Sequence, residues 1–523
     1  MEERAKVLDL LHKTLVKDMH YPFFTIKSHQ IQIFDSPVDF YLALCKGIRV
    51  SYKRIILSSL YIGDGPLERF LLDQLFNRLE VHKSLRCNIL VDYNRGHRGK
   101  YFSSYALLKS LKANFNPNPN VRVGFYKPPV TNIFPGALYG ARELQGVQHT
   151  KVAVFDDTVF LTGANMSENY FTERQDRYFL FKDHTKFADF CDDTVNSLID
   201  CSYQMDDDAR LVIPNNQPII RGNLDKSSRS DFKEMIRNRI KMTKFLHNKE
   251  EHEKHQFKSP RDSAMEEKNE EKELAELVNK EKDWSSRFKK ILTPEDVFNE
   301  LKDMPHSLNV ITGDGGWNSS QLTVTGEDVI IFPSIQLPQA GVNDDRLLIE
   351  ALLPCFSELK IASGYMGFPN SFTPLLKQVK ALELLCASPL ANGFLGDGVK
   401  NWIPFMYRCL EKEIFGKLTN ASLFEYQREG WTFHGKGIWA SDKSGTYLTA
   451  LGSSNFSRRS YLRDAEFMVY LWTDCPAFKK TLMIEQQKLW THSYRVGRET
   501  FEQKQFKIGL GTKVLTKLLR SFL

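Results

Sequence analysis

The same succession of strand, helix and turn signals runs twice through the 523 residues of this chain, once on each side of a highly charged stretch. A sequence organised this way folds most simply as two related units. In the first copy the β-rich run at 54–63 leads into a helix-like stretch at 67–79, and in the second 359–367 leads into 372–379. Ser59-x-Tyr61-x-Gly63 aligns with Ser363-x-Tyr365-x-Gly367 without a gap, and a short apolar run follows each helix, at 88–91 and 382–386. Strands alternating with helices predict an α/β fold with largely buried sheets. At about 100–200 residues per domain the length accommodates two such halves. Between Lys244 and Asp283, 21 of 40 residues are Asp, Glu, Lys or Arg, too polar to bury a core, so this part reads as a linker or a solvated helix. The division that follows is a first half at 1–215, a charged linker or insertion at 216–290, a second half at 291–505 and an amphipathic segment at 506–523.

The repeat extends to chemistry-bearing residues. Val147-Gln-His149-Thr-Lys151 runs on to Asp156 and is followed by Gly163-Ala-Asn165; Thr432-Phe-His434-Gly-Lys436 is followed by Gly452-Ser-Ser-Asn455. Each reads as a β-hairpin whose first strand carries His-x-Lys and whose second ends in a turn with Asn. Residues i and i+2 of a strand share a face, so His and Lys of each pair project together. Lysine supplies a cation and Asn an amide for the non-bridging oxygens of a phosphodiester, and an imidazole serves as nucleophile or as general acid/base near neutral pH. Two copies supply one of each if the halves face each other. Asp176 and Glu466 each stand eleven residues after their Asn. They can accept from the far ring nitrogen of a histidine and fix its tautomer. Surface ion pairing with Arg174, Arg177 or Arg463 accounts for the same carboxylates equally well.

The remaining composition narrows the partners. The formal charge of +7 suits phosphates, nucleotides or acidic lipid surfaces and is too small to argue for nucleic acid. Eight dispersed cysteines without a CxxC pair support neither zinc nor a disulfide framework, and favour a reducing compartment. No apolar run approaches the ~20 residues that span a bilayer. The acidic start is neither a secretory signal nor a transit peptide, and if the protein is imported its targeting sequence is expected to have been removed. From 512 to 523, Val514, Leu515, Leu518, Leu519, Phe522 and Leu523 recur at helical spacing with Lys513, Lys517 and Arg520 off the stripe, which fits an interfacial helix or one packed on the core. The stretch 128–139, with Ile133, Phe134 and Leu138, is a second candidate for membrane contact.

This constellation resembles the phospholipase D superfamily, whose His-x-Lys-x(4)-Asp motif occurs in two copies meeting at a pseudo-twofold interface. His149, Lys151 and Asp156 match in full; in the second copy Ser441 takes the position of the motif's Asp, with Asp442 one residue later. The flanks look like the eukaryotic phosphatidylglycerophosphate synthases, in Gly146-Val-Gln-His-Thr-Lys151, Leu161-Thr-Gly-Ala-Asn165, Tyr170-Phe-Thr-Glu-Arg-Gln-Asp-Arg-Tyr178, His434-Gly-Lys-Gly-Ile-Trp439 and Arg459-Ser-Tyr-Leu-Arg-Asp-Ala-Glu466. The turn Asp92-Tyr-Asn-Arg95-Gly-His-Arg98-Gly99 resembles a further segment of that family. The resemblance covers roughly 25–210 and 310–500. It implies two α/β/α sandwich halves with one shared site and no metal or cofactor. The implied reaction moves the phosphatidyl group of CDP-diacylglycerol to glycerol 3-phosphate on an anionic membrane, with a mitochondrial inner-membrane location. In the implied roles His149 attacks phosphorus and His434 is the acid/base; Lys151, Lys436, Asn165 and Asn455 hold the oxygens, and Asp156 completes the catalytic set as a supporting residue. Arg95 and Arg98 grip the acceptor phosphate, with Arg459 and Arg463 as rivals. The motifs by themselves leave hydrolysis, by a phospholipase or nuclease, as the alternative. An inactive lipid-binding scaffold is a third reading, against which the intact His and Lys in both halves argue.

Overall fold

The structure is a computed structural model that describes residues 2–99, 103–115, 119–129, 143–212, 226–252, 328–396, 402–441, 447–503 and 508–523. The early strands are β1 (Phe24–Lys27), β2 (Ile31–Phe34), β3 (Arg54–Ser58), β4 (Arg86–Asp92), β5 (Val121–Tyr126), β6 (Val152–Phe155), β7 (Thr158–Thr162), β8 (Arg174–Gln175), β9 (Tyr178–Phe181), β10 (Tyr203–Met205) and β11 (Leu211–Val212). The later ones are β12 (Asp328–Leu337), β13 (Val342–Asn343), β14 (Glu358–Ser363), β15 (Ala381–Ala387), β16 (Ala421–Tyr426), β17 (Thr432–Phe433), β18 (Lys436–Ser441), β19 (Tyr447–Gly452), β20 (Glu466–Thr473) and β21 (Ser493–Arg495). One sheet is ordered β11-β10-β5-β4-β3-β6-β7-β9-β2 and the other β1-β12-β20-β19-β18-β14-β15-β16-β21. Read from opposite ends the two orders match strand for strand, from β2 with β12 to β10 with β21. In each, the three strands that begin with β3 or β14 are parallel, and the adjoining hairpin is antiparallel. β3 and β4 are buried on both faces, which is why they read as near-continuous apolar runs.

Helices cover the sheets. They are α1 (Glu2–Leu11), α2 (Pro37–Val50), α3 (Pro66–Val81), α4 (Ser104–Asn114), α5 (Thr185–Asp200), α6 (Lys226–His252), α7 (Asp344–Leu352), α8 (Phe372–Leu376), α9 (Trp402–Lys417), α10 (Pro476–Trp490) and α11 (Leu510–Leu519). Their starts follow local chemistry: Ser36 accepts from the Asp39 N–H ahead of Pro37, and Cys475 accepts from the Phe478 N–H ahead of Pro476.

Several expectations need correction. β1 belongs to the second sheet, where it pairs antiparallel with β12, so the first half of the chain contributes an edge strand to the other unit. The charged stretch begins as an integral helix: in α6, Ile236 and Ile240 are fully buried, Lys244 pairs with Asp344 at 2.8 Å, and Asn248 donates to the carbonyls of Val16 and Tyr21. Its long polar face hides this stripe in a composition count. The second helix of the repeat ends at Leu376, short of 379. The His149 and His434 backbones lie just ahead of β6 and β18, because their N–H groups are taken by the opposite half, His149 donating to the Ala465 carbonyl and His434 to that of Gln175, at 2.8 Å each. β17 and β8 extend the second of these junctions as a parallel pair. Residues 130–142 and Asp442, both singled out above, lie outside the described residues.

Arg177 latches the halves together. From the first half it reaches between β18, β19 and α10, where it pairs with Glu485 at 2.5 Å and donates to the Ala450 carbonyl and the Thr449 hydroxyl. Its guanidinium stacks 4.0 Å from the Trp439 ring, whose indole N–H donates to Glu485. A Cβ at Gly437 would run into the Arg177 guanidinium. The Gly-x-Trp that follows the second His-x-Lys is therefore the cradle of this arginine.

Asp156 stands at the far end of β6 from His149, in the turn to β7, with a left-handed φ of 51°. Its carboxylate accepts from the backbone N–H groups of Tyr52, Lys53 and Arg54 and so fixes the start of β3. At the equivalent point of the second half Ser441 donates to Glu358, the first residue of β14. The motif's Asp is a strand clamp and takes no part in the site, which corrects the catalytic role expected for it. Asp156→Ala is expected to cost about 1–3 kcal/mol of stability by leaving these donors without their acceptor, and to leave turnover per folded molecule unchanged. Thermal unfolding and a rate normalised to folded protein check both parts, and a tenfold fall in the normalised rate would return Asp156 to the chemistry.

Candidate active site

The two lead-ins to β6 and β18 face each other across the junction of the halves, and each imidazole is oriented by the carboxylate of the other half. His149 Nδ1 lies 2.9 and 3.1 Å from the two Glu466 oxygens, and His434 Nδ1 lies 2.6 Å from Asp176 Oδ2. The carboxylates expected from the repeat are thus at the site, crossed over. Donation from Nδ1 leaves Nε2 as the nitrogen with a free lone pair in each ring. Lys151 and Lys436 donate at 2.7 Å to the carbonyl of their own histidine, and Lys436 also approaches His434 Nδ1 at 2.7 Å and Asp176 at 3.4 Å. The amide oxygens of Asn165 and Asn455, buried at equivalent positions, have no hydrogen-bond partner among the described residues. Open acceptors at both symmetric points suit ligand groups that donate, such as hydroxyls, and leave contact with non-bridging oxygens to the amide N–H groups.

Burial dominates the electrostatics. It drives both imidazoles well below the ordinary histidine range, helped at His149 by Lys151 and at His434 by Lys436 and Arg174. Lys436 also acts on His149, and Lys151 on His434, so the four groups form one cluster. Burial lowers Lys151 to about 7 and raises Glu466 to about 7, and it moves Lys436 down and Asp176 up. Neutral imidazoles beside lysines that can regain full charge when an anion arrives suit attack on a phosphodiester.

Of the four arginines proposed for an acceptor phosphate, three are otherwise engaged. Arg98 lies 3.7 Å from Glu143, Arg459 pairs with Asp464 at 3.0 Å and donates to the Glu143 carbonyl, and Arg463 donates to the Ser521 carbonyl at 2.7 Å with its guanidinium on the Phe522 ring. Arg463 is thereby an anchor for the C-terminal tail, which corrects its expected role. Arg95 has no ion-pair partner among the described residues; its guanidinium lies 4.2 Å from the Tyr61 ring.

A residue that the sequence reading offered only as an ion-pair partner of Asp176 completes this side. Arg174 Nε donates to the Thr432 hydroxyl and the guanidinium lies 4.5 Å from the Tyr170 ring, with no carboxylate in ion-pair range among the described residues. Tyr170 meets His434 edge-on at 5.0 Å, as does Tyr365 at 5.5 Å, and Tyr407 packs on Tyr365. Tyr61 and Tyr365, the repeated tyrosines, therefore both line the site. A half-buried guanidinium with no carboxylate partner among the described residues is open to an external anion. Arg174 precedes Asp176 by two residues on the same extended face, as Asp464 precedes Glu466, and that spacing was the signal available for both.

No family model matches the chain. It is similar to the mitochondrial CDP-diacylglycerol–glycerol-3-phosphate 3-phosphatidyltransferase of Homo sapiens, 30% identical over 522 residues that cover 96% of this chain and 84% of the relative. The enzyme of the same name from Gallus gallus is also 30% identical, over 96% and 85%. Among solved structures, the phosphatidylserine synthase of Haemophilus influenzae covers all of both chains with a TM-score of 0.64 at 18% identity, which shows the fold. The paired α/β halves, the crossed His–carboxylate pairs and identity along nearly the whole length agree: the chain belongs to the CDP-diacylglycerol–glycerol-3-phosphate 3-phosphatidyltransferase family.

Proposed function

We propose that the paired histidines transfer the phosphatidyl group of CDP-diacylglycerol to glycerol 3-phosphate, releasing CMP and forming phosphatidylglycerophosphate, through a phosphohistidine on His149. The observation that carries this is the crossed orientation of the two imidazoles, which leaves a free Nε2 on each side of one cluster. His434 takes up a proton on Nε2 when the anionic donor binds; His149 Nε2 then attacks phosphorus and the bond to CMP breaks, while His434 gives that proton to the departing oxygen. His434 then takes the proton of the glycerol hydroxyl, which attacks phosphorus, breaks the P–N bond and regenerates His149. Lys151, Lys436, Asn165 and Asn455 stabilise the non-bridging oxygens.

In-line displacement puts both the leaving CMP and the incoming acceptor opposite the nucleophile, and each carries a phosphate. The unpaired Arg174 beside His434 supports that direction, and Arg95 across Tyr61 is the second cation for the acceptor dianion. The location named for the human and chicken relatives supports work in mitochondria, and the proposed reaction takes place on the anionic inner membrane, in the route to phosphatidylglycerol and cardiolipin.

Incubation with CDP-diacylglycerol alone and with glycerol 3-phosphate tests the reaction. CMP release that depends on the acceptor and survives chelator is expected, and phosphatidic acid as the main product would instead make the chain a hydrolase. A covalent phosphatidyl adduct should accumulate in His434→Ala and be absent from His149→Ala; the reverse pattern inverts the two roles. Arg174→Gln should raise KM for glycerol 3-phosphate roughly 10–100-fold, the loss of one charge-assisted contact, and an unchanged KM would remove it from the acceptor site. In the free enzyme Lys151 holds its proton below about pH 7 and loses it above, so kcat/KM for the donor should fall as pH rises through that value. Glu466 titrates in the same range, and persistence of this limb in Glu466→Gln would assign it to the lysine.

A further inference from the structure

The C-terminal helix α11 has two apolar faces, and only one of them is used by the protein. Leu515 and Leu519, with Leu523 beyond them, pack against Met406 and Leu410 of α9. The tail is pinned at its end by the Arg463–Ser521 hydrogen bond and by the Arg520–Glu413 ion pair at 2.6 Å. The opposite face carries Leu510, Val514 and Leu518, spaced four residues apart and 78%, 53% and 71% exposed. Lys513 and Lys517 are exposed along the flank of this ridge. The stripe read from the sequence as a single face is therefore divided by the fold.

The helix beneath this ridge, α9, leads to the surroundings of the active site. Tyr407 of α9, which shares the cluster under α11, packs 5.1 Å from Tyr365, the ring beside His434. Phe394 lies 5.4 Å from the same Tyr365, and its neighbour Leu395 is exposed, as are Trp402 at the start of α9 and Leu462 next to the anchoring Arg463. Large exposed apolar side chains thus lie on elements tied to one wall of the site. Exposed apolar surface of this kind marks an interaction face.

The geometry points to this face as the one that seats the enzyme on an anionic bilayer: Leu510, Val514 and Leu518 enter the acyl boundary and Lys513 and Lys517 meet the acidic headgroups. The assignment rests on the phosphatidyltransfer reading, since a diacyl donor must present its headgroup to His149 and His434 while its chains stay in the membrane. A ridge of aliphatic side chains flanked by lysines has the composition of an interfacial helix. Because the other face holds the helix to α9, the depth and tilt of the docked enzyme follow from the fold.

The test uses the full chain carrying Leu510→Asp, Val514→Asp and Leu518→Asp together. These side chains are exposed, so folding should be retained, and circular dichroism and thermal unfolding check it. Co-sedimentation with phosphatidylcholine vesicles containing cardiolipin should fall at least tenfold, and turnover of vesicle-embedded CDP-diacylglycerol with it. Turnover of a water-soluble short-chain CDP-diacylglycerol should stay within twofold. Lys513→Gln with Lys517→Gln should weaken binding to the cardiolipin vesicles by roughly fivefold per lysine and leave the weaker binding to pure phosphatidylcholine unchanged. Wild-type vesicle binding by the triple variant would overturn the assignment, as would a dimeric wild type that the triple substitution dissociates without loss of vesicle binding. A wild type that binds vesicles but transfers nothing to glycerol 3-phosphate from the soluble donor would count against the phosphatidyltransfer reading and leave the docking face supported.

Discussion

Each reactive imidazole takes its orientation from the other half of the molecule. Glu466 reaches His149 and Asp176 reaches His434, and the backbones of the two histidines are hydrogen-bonded to the segments that carry those carboxylates. Neither half alone holds a tautomer-fixed histidine. The active site exists only as a property of the junction, and everything that aligns the junction acts on the chemistry. The Arg177 latch is the clearest such device, because a buried guanidinium between Glu485, Trp439 and the Ala450 carbonyl admits little sliding of one half over the other.

The same enclosure decides the charge state of the resting site. Histidines, lysines and carboxylates gathered away from water shift towards neutrality, the lysines and histidines downwards and Asp176 and Glu466 upwards. An arriving phosphodiester brings negative charge that favours the protonated form of both lysines. Binding and activation of the cationic groups are then one event, and the interaction strengthens as the non-bridging oxygens gain charge in the transition state.

The repeated strand–helix order, the histidines and lysines, the turn asparagines and the matched carboxylates were all legible in the sequence, since each is a local pattern that occurs twice at the same spacing. What was hidden involves pairing between distant parts. Spacing shows that Asp176 and Glu466 correspond and is silent on which histidine each one serves. Arg174 looked like one of several surface arginines beside Asp176, and its isolation from carboxylates is a fact of three dimensions. Arg463 carried the opposite error, for nothing local reveals that Ser521 and Phe522 return to it. α6 was read as part of a linker or a solvated helix because a buried stripe of Ile236, Ile240 and Lys244 is outnumbered by the charges on its outer face.

The donated strand β1 ties the order of synthesis to the order of assembly. Residues 24–27 leave the ribosome early, yet the strand they pair with starts about 300 residues later, at Asp328. At ~5–20 residues per second that interval is on the order of 15–60 s. For that time the first sheet can close while β1 lacks its strand partner: Phe24 can pack on Phe187 and Phe190 of its own half, but Ile26 has no β12 beside it. The nascent chain therefore carries an apolar loose end just ahead of a finished half-molecule, and the step that captures it is the one at which two chains made side by side could exchange strands.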